Sequence, residues 1–127
     1  RKEENLNLES LAYPSADKQF LQSIIDSIEQ HFEEPKFDLE QLAAEKRMSK
    51  STLYRKIKSM TGMTPLDFIR NIKMKRACMM LLSGSYNISE VAYAVGFSTP
   101  KYFSRYFKDE FGITPSEYLQ KHGGDGR

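Results

Sequence analysis

Two arginines, Arg55 and Arg105, occupy matching places in two similar stretches of the chain. An arginine guanidinium presents its donors in a rigid fork that fits the O6 and N7 acceptors of guanine, and it also binds phosphate. The block from Lys46 to Lys58, which contains Arg55, carries six positive charges and no negative one. Basic side chains clustered within a folded domain indicate a polyanionic partner, although a solvated helix face has the same composition.

The net charge of +2 conceals an uneven distribution along the chain. Residues 1–45 carry four basic and eleven acidic side chains, whereas the remaining 82 residues carry fifteen basic and six acidic ones. The positive charge therefore lies in the part of the chain that contains the two arginines, and we expect any polyanion to bind there.

The sequence contains no pattern typical of an enzyme or a metal site. His31 and His122 are isolated, and a single cysteine supports neither a Cys-rich zinc site nor a disulfide framework. There is no phosphate-binding glycine loop and no nucleophile elbow. We therefore expect no catalysis, no metal and no cofactor. Cys78 lies among Ala77, Met79 and Met80, which favours buried packing over a redox role.

Composition is that of an ordinary globular domain, with 39% hydrophobic and 28% charged residues among 127. The longest apolar run, Ala77 to Leu82, is far shorter than the roughly 20 residues of a membrane-spanning helix. No signal peptide opens the chain, and a single unpaired thiol fits a reducing compartment, so we expect a cytoplasmic protein. Because the chain begins at Arg1, we also expect it to be part of a longer protein.

Apolar periodicity predicts an all-α fold of about seven helices and no strand. The expected helix starts are Ser15, Asp38 with Gln41 as a capping box, Ser49 or Ser51, Thr64-Pro65, Asn87, Ser98-Thr99-Pro100 and Thr114-Pro115. Pro35 is expected to stop the first helix. The predicted divisions are a flexible linker (1–14), a first helix-turn-helix subdomain with a leading helix (15–62), a connecting helix (63–84), a second helix-turn-helix subdomain (85–121) and a disordered tail (122–127).

The chain repeats itself once. Ala43 matches Ala92, and Met48-Ser49 matches Phe97-Ser98, at an offset of 49; after a one-residue insertion Arg55 matches Arg105 at an offset of 50. Each copy reads as two helices around a tight turn, followed by Gly-x-Thr-Pro, which is the form of a helix-turn-helix. The small alanine allows the second helix to cross closely, so that its polar, basic face points outward. The major groove of DNA admits one such helix.

The stretch NISEVAYAVGFSTPKYFSRYFKDEFGITPSEYL, Asn87 to Leu119, closely resembles the signature of the AraC/XylS family of transcription regulators. The stretch LEQLAAEKRMSKSTLYRKIKSMTGMTPLDFI resembles the first helix-turn-helix of the same family. The resemblance covers about residues 36–121. The resemblance implies a sequence-specific DNA-binding domain that places two recognition helices in successive major grooves.

By position, the resemblance also implies which residues contact DNA. The base-contacting candidates are Ser51, Tyr54, Arg55, Pro100, Lys101, Tyr102, Ser104 and Arg105. The phosphate-contacting candidates are Lys50, Thr52, Lys56, Lys58, Thr64, Ser89, Lys108 and Thr114. Pro100 departs from the polar residue expected at its position, because it offers only a ring that touches a thymine methyl group. Thr64 and Thr114 are also expected to cap helices.

The segment DKQFLQSIIDSIE, which starts at Asp17, resembles the output domains of response regulators and hybrid two-component sensors. This implies an upstream receiver or sensor domain; a ligand-binding barrel is the alternative. The resemblance further implies a dimeric full-length protein, RNA polymerase as a further partner, and activation rather than repression. A helical protein–protein adaptor that lost DNA binding would have the same helices, but the outward Arg55 and Arg105 favour DNA.

Overall fold

Seven α-helices and no strand form the part of the chain that the structure, a computed structural model, describes, which is residues 15–123. They are α1 (Ser15–Gln30), α2 (Leu39–Glu45), α3 (Lys50–Thr61), α4 (Pro65–Ser83), α5 (Ile88–Ala94), α6 (Pro100–Phe111) and α7 (Pro115–His122). The predicted all-α class is confirmed. The predicted linker, residues 1–14, and residues 124–127 of the predicted tail lie outside the described residues.

The described residues divide into two compact units. The first contains residues 15–31 and 36–72, and the second contains residues 32–35 and 73–123. The first unit therefore contains α1, α2, α3 and the first part of α4, whereas the second contains the rest of α4 with α5, α6 and α7.

Aliphatic side chains form the interior of the first unit. Ile24 and Ile28 of α1, Leu42 of α2, and Leu53 and Ile57 of α3 have no exposed surface. Their spacing of four residues on α1 and on α3 is the repeat of one helix face, so each helix turns one apolar stripe inward. The opposite faces of α1 and α3 remain polar.

A polar cluster joins α1 to the end of α2. His31 Nε2 lies 2.6 Å from Glu45 Oε2, and the His31 ring stacks on Phe37 with ring centroids 4.2 Å apart. Although burial acts against the charged carboxylate, hydrogen bonds from His31 and Ser27 lower the pKa of Glu45 below its usual value. Lys46 donates a further hydrogen bond to Ser23. These contacts hold α2 against α1 outside the apolar interior.

The second unit has an aromatic interior. Phe97, Phe103 and Phe107 are buried with Met74, Ala77, Leu81, Val91, Ala92 and Val95. Phe97 and Phe103 meet edge to face with centroids 5.4 Å apart, and Phe107 meets Tyr118 of α7 at 5.5 Å. Burial, with a hydrogen bond to Cys78, raises the pKa of Tyr118 to about 12. The aromatic stripe of α6 thus packs against the helices on either side of it.

Helix starts follow the predicted capping chemistry. The capping boxes of Asp38 with Gln41, Asn87 with Glu90 and Thr114 with Glu117 are complete, each with both reciprocal hydrogen bonds. Ser49, not Ser51, caps α3 and accepts from the Thr52 amide. Thr99 caps α6, with Pro100 as its first residue.

Two local expectations from the sequence need correction. α1 ends at Gln30, short of Pro35, because Phe32 leaves the helix and is buried in the second unit, where Arg76 lies 4.9 Å above its ring. Cys78 is only partly buried, at the edge of the aromatic interior.

A left-handed residue makes the turn within each helix pair. Arg47 has φ +56° between α2 and α3, and Gly96 has φ +89° between α5 and α6. The following amides, of Met48 and Phe97, donate to the carbonyls of Ala43 and Ala92 at 3.0 and 2.9 Å. A Cβ atom at Gly96 would lie 2.1 Å from the Phe32 carbonyl oxygen. Only glycine fits at that position.

We predict that Gly96→Ala destabilises the chain by about 2–5 kcal/mol. Left-handed strain costs about 1–2 kcal/mol, and displacing the Phe32 carbonyl adds an overpacking cost of about 1–3 kcal/mol. Gly112→Ala is the matched control, because Gly112 has φ +83° and nothing within 4 Å of its Cβ position. Urea unfolding measures the free energy of unfolding of both variants. Equal decreases would show that the close approach of the Phe32 carbonyl to Gly96 adds no cost.

We predict that Glu45→Gln lowers the free energy of unfolding by about 0.5–1 kcal/mol at pH 7. Because folding lowers the pKa of Glu45, its contribution is present above the unfolded pKa and disappears as pH falls through the folded pKa. Unfolding measured across acidic pH should therefore show the variant and the parent converging. In a His31→Ala background, Glu45→Gln should lower the free energy of unfolding by less. An equal decrease in that background would contradict the contact between His31 and Glu45.

Candidate nucleic-acid interface

Two helix pairs, α2–α3 and α5–α6, have the same construction. The first helix of each pair has seven residues and the second has twelve. Ala43 and Ala92, at equivalent positions, are buried to 2% and 0% exposure. The structure corrects the matching of the repeat at one point: Ser49 is equivalent to Thr99, since both are N-caps, and Ser98 is the inserted residue. Each pair is a helix-turn-helix.

The outward face of α3 carries the predicted base-contacting residues of the first pair. Ser51, Tyr54 and Arg55 are exposed, with Tyr54 at 42%, whereas Leu53 and Ile57 point inward. Arg55 is the sixth residue after the N-cap Ser49, so its guanidinium extends from the middle of the helix. α3 therefore presents a hydroxyl, a phenol and a guanidinium on one surface.

The outward face of α6 differs in chemistry. Lys101, Tyr102 and Arg105 are exposed, and Arg105 is again the sixth residue after the N-cap. Pro100 and Ser104 are partly exposed. The Tyr102 ring packs edge-on against Phe97, 5.4 Å between centroids, so it is both a surface residue and part of the aromatic cluster.

The predicted phosphate-contacting residues fall into two groups. Lys50, Lys58, Ser89 and Lys108 have exposed side chains. Thr52, Thr64 and Thr114 are partly buried. Thr64 and Thr114 use their hydroxyls in capping, where they accept from the amides of Asp67 and Glu117, whereas the Thr52 hydroxyl accepts from the hydroxyl of the N-cap Ser49. Lys56 belongs to neither group, because its ammonium lies 4.6 Å above the Phe20 ring.

A cavity of about 370 Å³ lies beside α3 in the first unit. Its lining consists of Asp17 from the first turn of α1 and Thr52, Arg55, Lys56, Ser59 and Met60 from α3. Sequence reasoning did not identify Asp17 or Ser59. Asp17 is 38 positions from Arg55 in the sequence, and no local pattern signals that α1 lies beside α3. Ser59 continues the helix face of Thr52, Arg55 and Lys56, which its spacing on α3 would have indicated.

Within residues 15–123, no group of three His, Cys, Asp or Glu side chains is placed to hold a metal ion. No helix in that range is long and apolar enough to cross a membrane.

A family model described as a helix-turn-helix domain matches residues 42–121, which include both helix pairs. The chain belongs to the AraC-type helix-turn-helix family. It is therefore a DNA-binding transcription regulator domain of the AraC type.

Two curated relatives give this AraC-type domain a context. A protein named histidine kinase P4, from Formosa agariphila, is 39% identical over 108 residues, which is 85% of this chain and 8% of that protein. The transcriptional activator RhaS of Mannheimia succiniciproducens is 38% identical over 90 residues, 71% of this chain and 33% of that protein. The chain thus spans only a minor part of each of these relatives.

Solved structures of similar AraC-type domains include the C-terminal domain of AraT, a response regulator from Geobacillus stearothermophilus. It has 31% identity and a TM-score of 0.74, over 80% of this chain and 84% of that one. The DNA-binding domain of AdpA, solved in complex with a target DNA, has 28% identity and a TM-score of 0.70, over 83% and 97% of the two chains.

We predict that Arg105→Ala weakens binding to a selected DNA site by about 1–3 kcal/mol and relaxes the preference at one base pair, because a guanine fork is lost. Lys108→Ala, one turn further along the same exposed face, should weaken specific and random DNA equally and reduce the salt slope by about 1. Fluorescence anisotropy titrations at several salt concentrations measure both. If the two variants gave the same pattern, the division into base and phosphate contacts would be wrong.

Proposed function

We propose that this AraC-type domain binds double-stranded DNA sequence-specifically, with α3 and α6 as recognition helices in successive major grooves. The observation that carries the proposal is the duplicated helix pair with an exposed arginine, Arg55 or Arg105, at the same position of each second helix. Successive major grooves on one face of DNA are roughly 34 Å apart, and two helix-turn-helix units connected by one chain suit such a site.

The two recognition helices read bases through different side chains. Arg55, with Ser51 and Tyr54 beside it, reads the first half-site, and Arg105 with Lys101, Tyr102 and Ser104 reads the second. Pro100 contributes only apolar contact. Because the side chains differ, the two half-sites bound by one chain differ in sequence. The DNA site of a single chain is therefore not palindromic.

Exposed basic residues at the rims of these helices position the domain on the backbone. Lys50, Lys58 and Lys108 neutralise phosphates, and Ser89 donates to one. Such contacts supply affinity and salt dependence without sequence information. Thr64 and Thr114 act through the helix N-termini that they cap, because backbone amides there point toward an anion. Thr52 offers its hydroxyl to a phosphate from the first turn of α3. Lys56 contacts phosphate only if it leaves the Phe20 ring.

We further propose that the domain is the output module of a two-component protein. Support comes from the likeness to a small part of a histidine kinase and to the C-terminal domain of a response regulator. An upstream receiver or sensor domain would dimerise the protein and bring two output domains to paired sites, which raises their effective concentration on DNA. Activation of transcription, with RNA polymerase as a partner, is proposed because RhaS is named an activator. The location proposed is the cytoplasm, and no catalytic step is assigned to this domain.

Selection of random duplex DNA on the purified chain, at physiological salt, tests the proposal. Enrichment of two unlike sequence blocks about 10 base pairs apart is the expected result. A single enriched block would restrict base reading to one helix pair. Salt-sensitive binding to all DNA without enrichment would contradict sequence-specific reading, and no binding to any duplex would favour a protein–protein adaptor.

A further inference from the structure

The cavity beside α3 places one carboxylate among basic and hydroxyl side chains. Thr52, Arg55, Lys56 and Ser59 follow one another on a single face of α3, and Asp17 faces them from the first turn of α1. Arg55 and Ser59 are exposed, whereas Asp17, Thr52 and Lys56 are partly exposed. The cavity, about 370 Å³ in volume, is thus open to a ligand that approaches α3.

Without Asp17, this side of α3 would be well suited to a phosphate. Two cations and two hydroxyls on one helix face supply both the charge and the donors that a phosphate requires. An arginine that binds a phosphate of the DNA backbone carries no sequence information, because the phosphates are the same at every nucleotide. Arg55 of α3 can therefore read a base only if its binding to a DNA phosphate is disfavoured relative to its binding to the base.

Asp17 disfavours phosphate binding through its charge. A carboxylate in the cavity repels a phosphate that enters it, because like charges interact strongly at short range. The guanine edge bears neutral acceptors, O6 and N7, and is not repelled in this way. Lys56, held over the Phe20 ring of α1, borders the same cavity.

We infer that Asp17 is a positioning residue for Arg55 that increases the discrimination of this domain between a guanine and the DNA backbone. The inference rests on the proposed function, in which Arg55 contacts a base. It assigns to α1, the helix outside the helix-turn-helix pair, a part in specificity: its first turn determines how the recognition helix uses its arginine.

The test compares Asp17→Asn with Asp26→Asn in the whole 127-residue chain. Both variants remove one negative charge from α1, but Asp26 is exposed, accepts a hydrogen bond from Gln22, and does not line the cavity. The probes are the duplex enriched by selection, the same duplex with the Arg55-dependent guanine replaced, and a scrambled duplex. Affinities are measured by anisotropy at physiological salt, and thermal unfolding checks that both variants fold.

Asp17→Asn is expected to increase the affinity for scrambled DNA about two- to fivefold, the scale of one exposed charge interaction, and to increase the affinity for the selected duplex less. The ratio of affinities for the duplexes with and without the guanine should fall by a similar factor. Asp26→Asn should increase the affinities for all three duplexes by the same factor and leave the ratio of affinities unchanged. In an Arg55→Ala background, Asp17→Asn should no longer alter the ratio, because the residue through which it acts is gone.

If Asp17→Asn left the ratio as Asp26→Asn does, the inference would be overturned. A change of ratio that persisted without Arg55 would also overturn it, because Asp17 would then act through another group. If Arg55→Ala alone had no effect on any base preference, the failure would lie in the proposed role of Arg55. That outcome differs from one in which Arg55→Ala removes a base preference and Asp17→Asn does not change the ratio of affinities, which would overturn only the inference about Asp17.

Discussion

The close crossing of the two helices in each pair is the constraint on which the rest of the structure depends. Buried alanines, Ala43 and Ala92, allow the second helix to approach the first, since the distance between packed helices is set by the side chains at their contact. A single left-handed residue then reverses the chain within a few positions. Because the apolar stripe of the second helix is fixed in the interior, its polar face must point outward, and the arginine at its sixth position is exposed as a result.

The two pairs meet this constraint with different residues. The first pair accepts the strain of a left-handed Arg47, whereas the second uses Gly96, where the Phe32 carbonyl leaves no space for a Cβ atom. The interior of the first unit is aliphatic and that of the second is aromatic. The recognition faces also differ, with Lys50 at the start of α3 and Pro100 at the start of α6. The duplication therefore preserves the geometry of the pair while the chemistry presented to DNA diverges.

Much of this architecture is predictable from sequence, because it depends on local signals. Asp38, Asn87 and Thr114 begin helices with side chains that bond amides three residues on, and that chemistry requires no distant partner. The exposed faces of α3 and α6 follow from the spacing of Leu53 and Ile57, and of Phe103 and Phe107. The DNA contacts assigned to these faces remain predictions.

What depended on contacts between distant segments was not predictable. The early end of α1 follows from the burial of Phe32 among residues 73–123, and apolar periodicity alone extends the helix to Pro35. The contacts of Glu45 with His31 and Ser27, and the cavity that Asp17 lines together with Arg55, are of the same kind. Each requires knowledge of how α1 packs on its neighbours, and a single sequence contains no signal of that packing.

Methylation interference on a selected duplex tests the central claim, that two arginines on equivalent helices read guanines in the major groove. Methylation at N7 blocks the guanidinium fork without altering the phosphates. We expect two clusters of interfering guanines about 10 base pairs apart, one of which disappears in Arg55→Ala and the other in Arg105→Ala. Interference at neither position, with affinity retained, would contradict it.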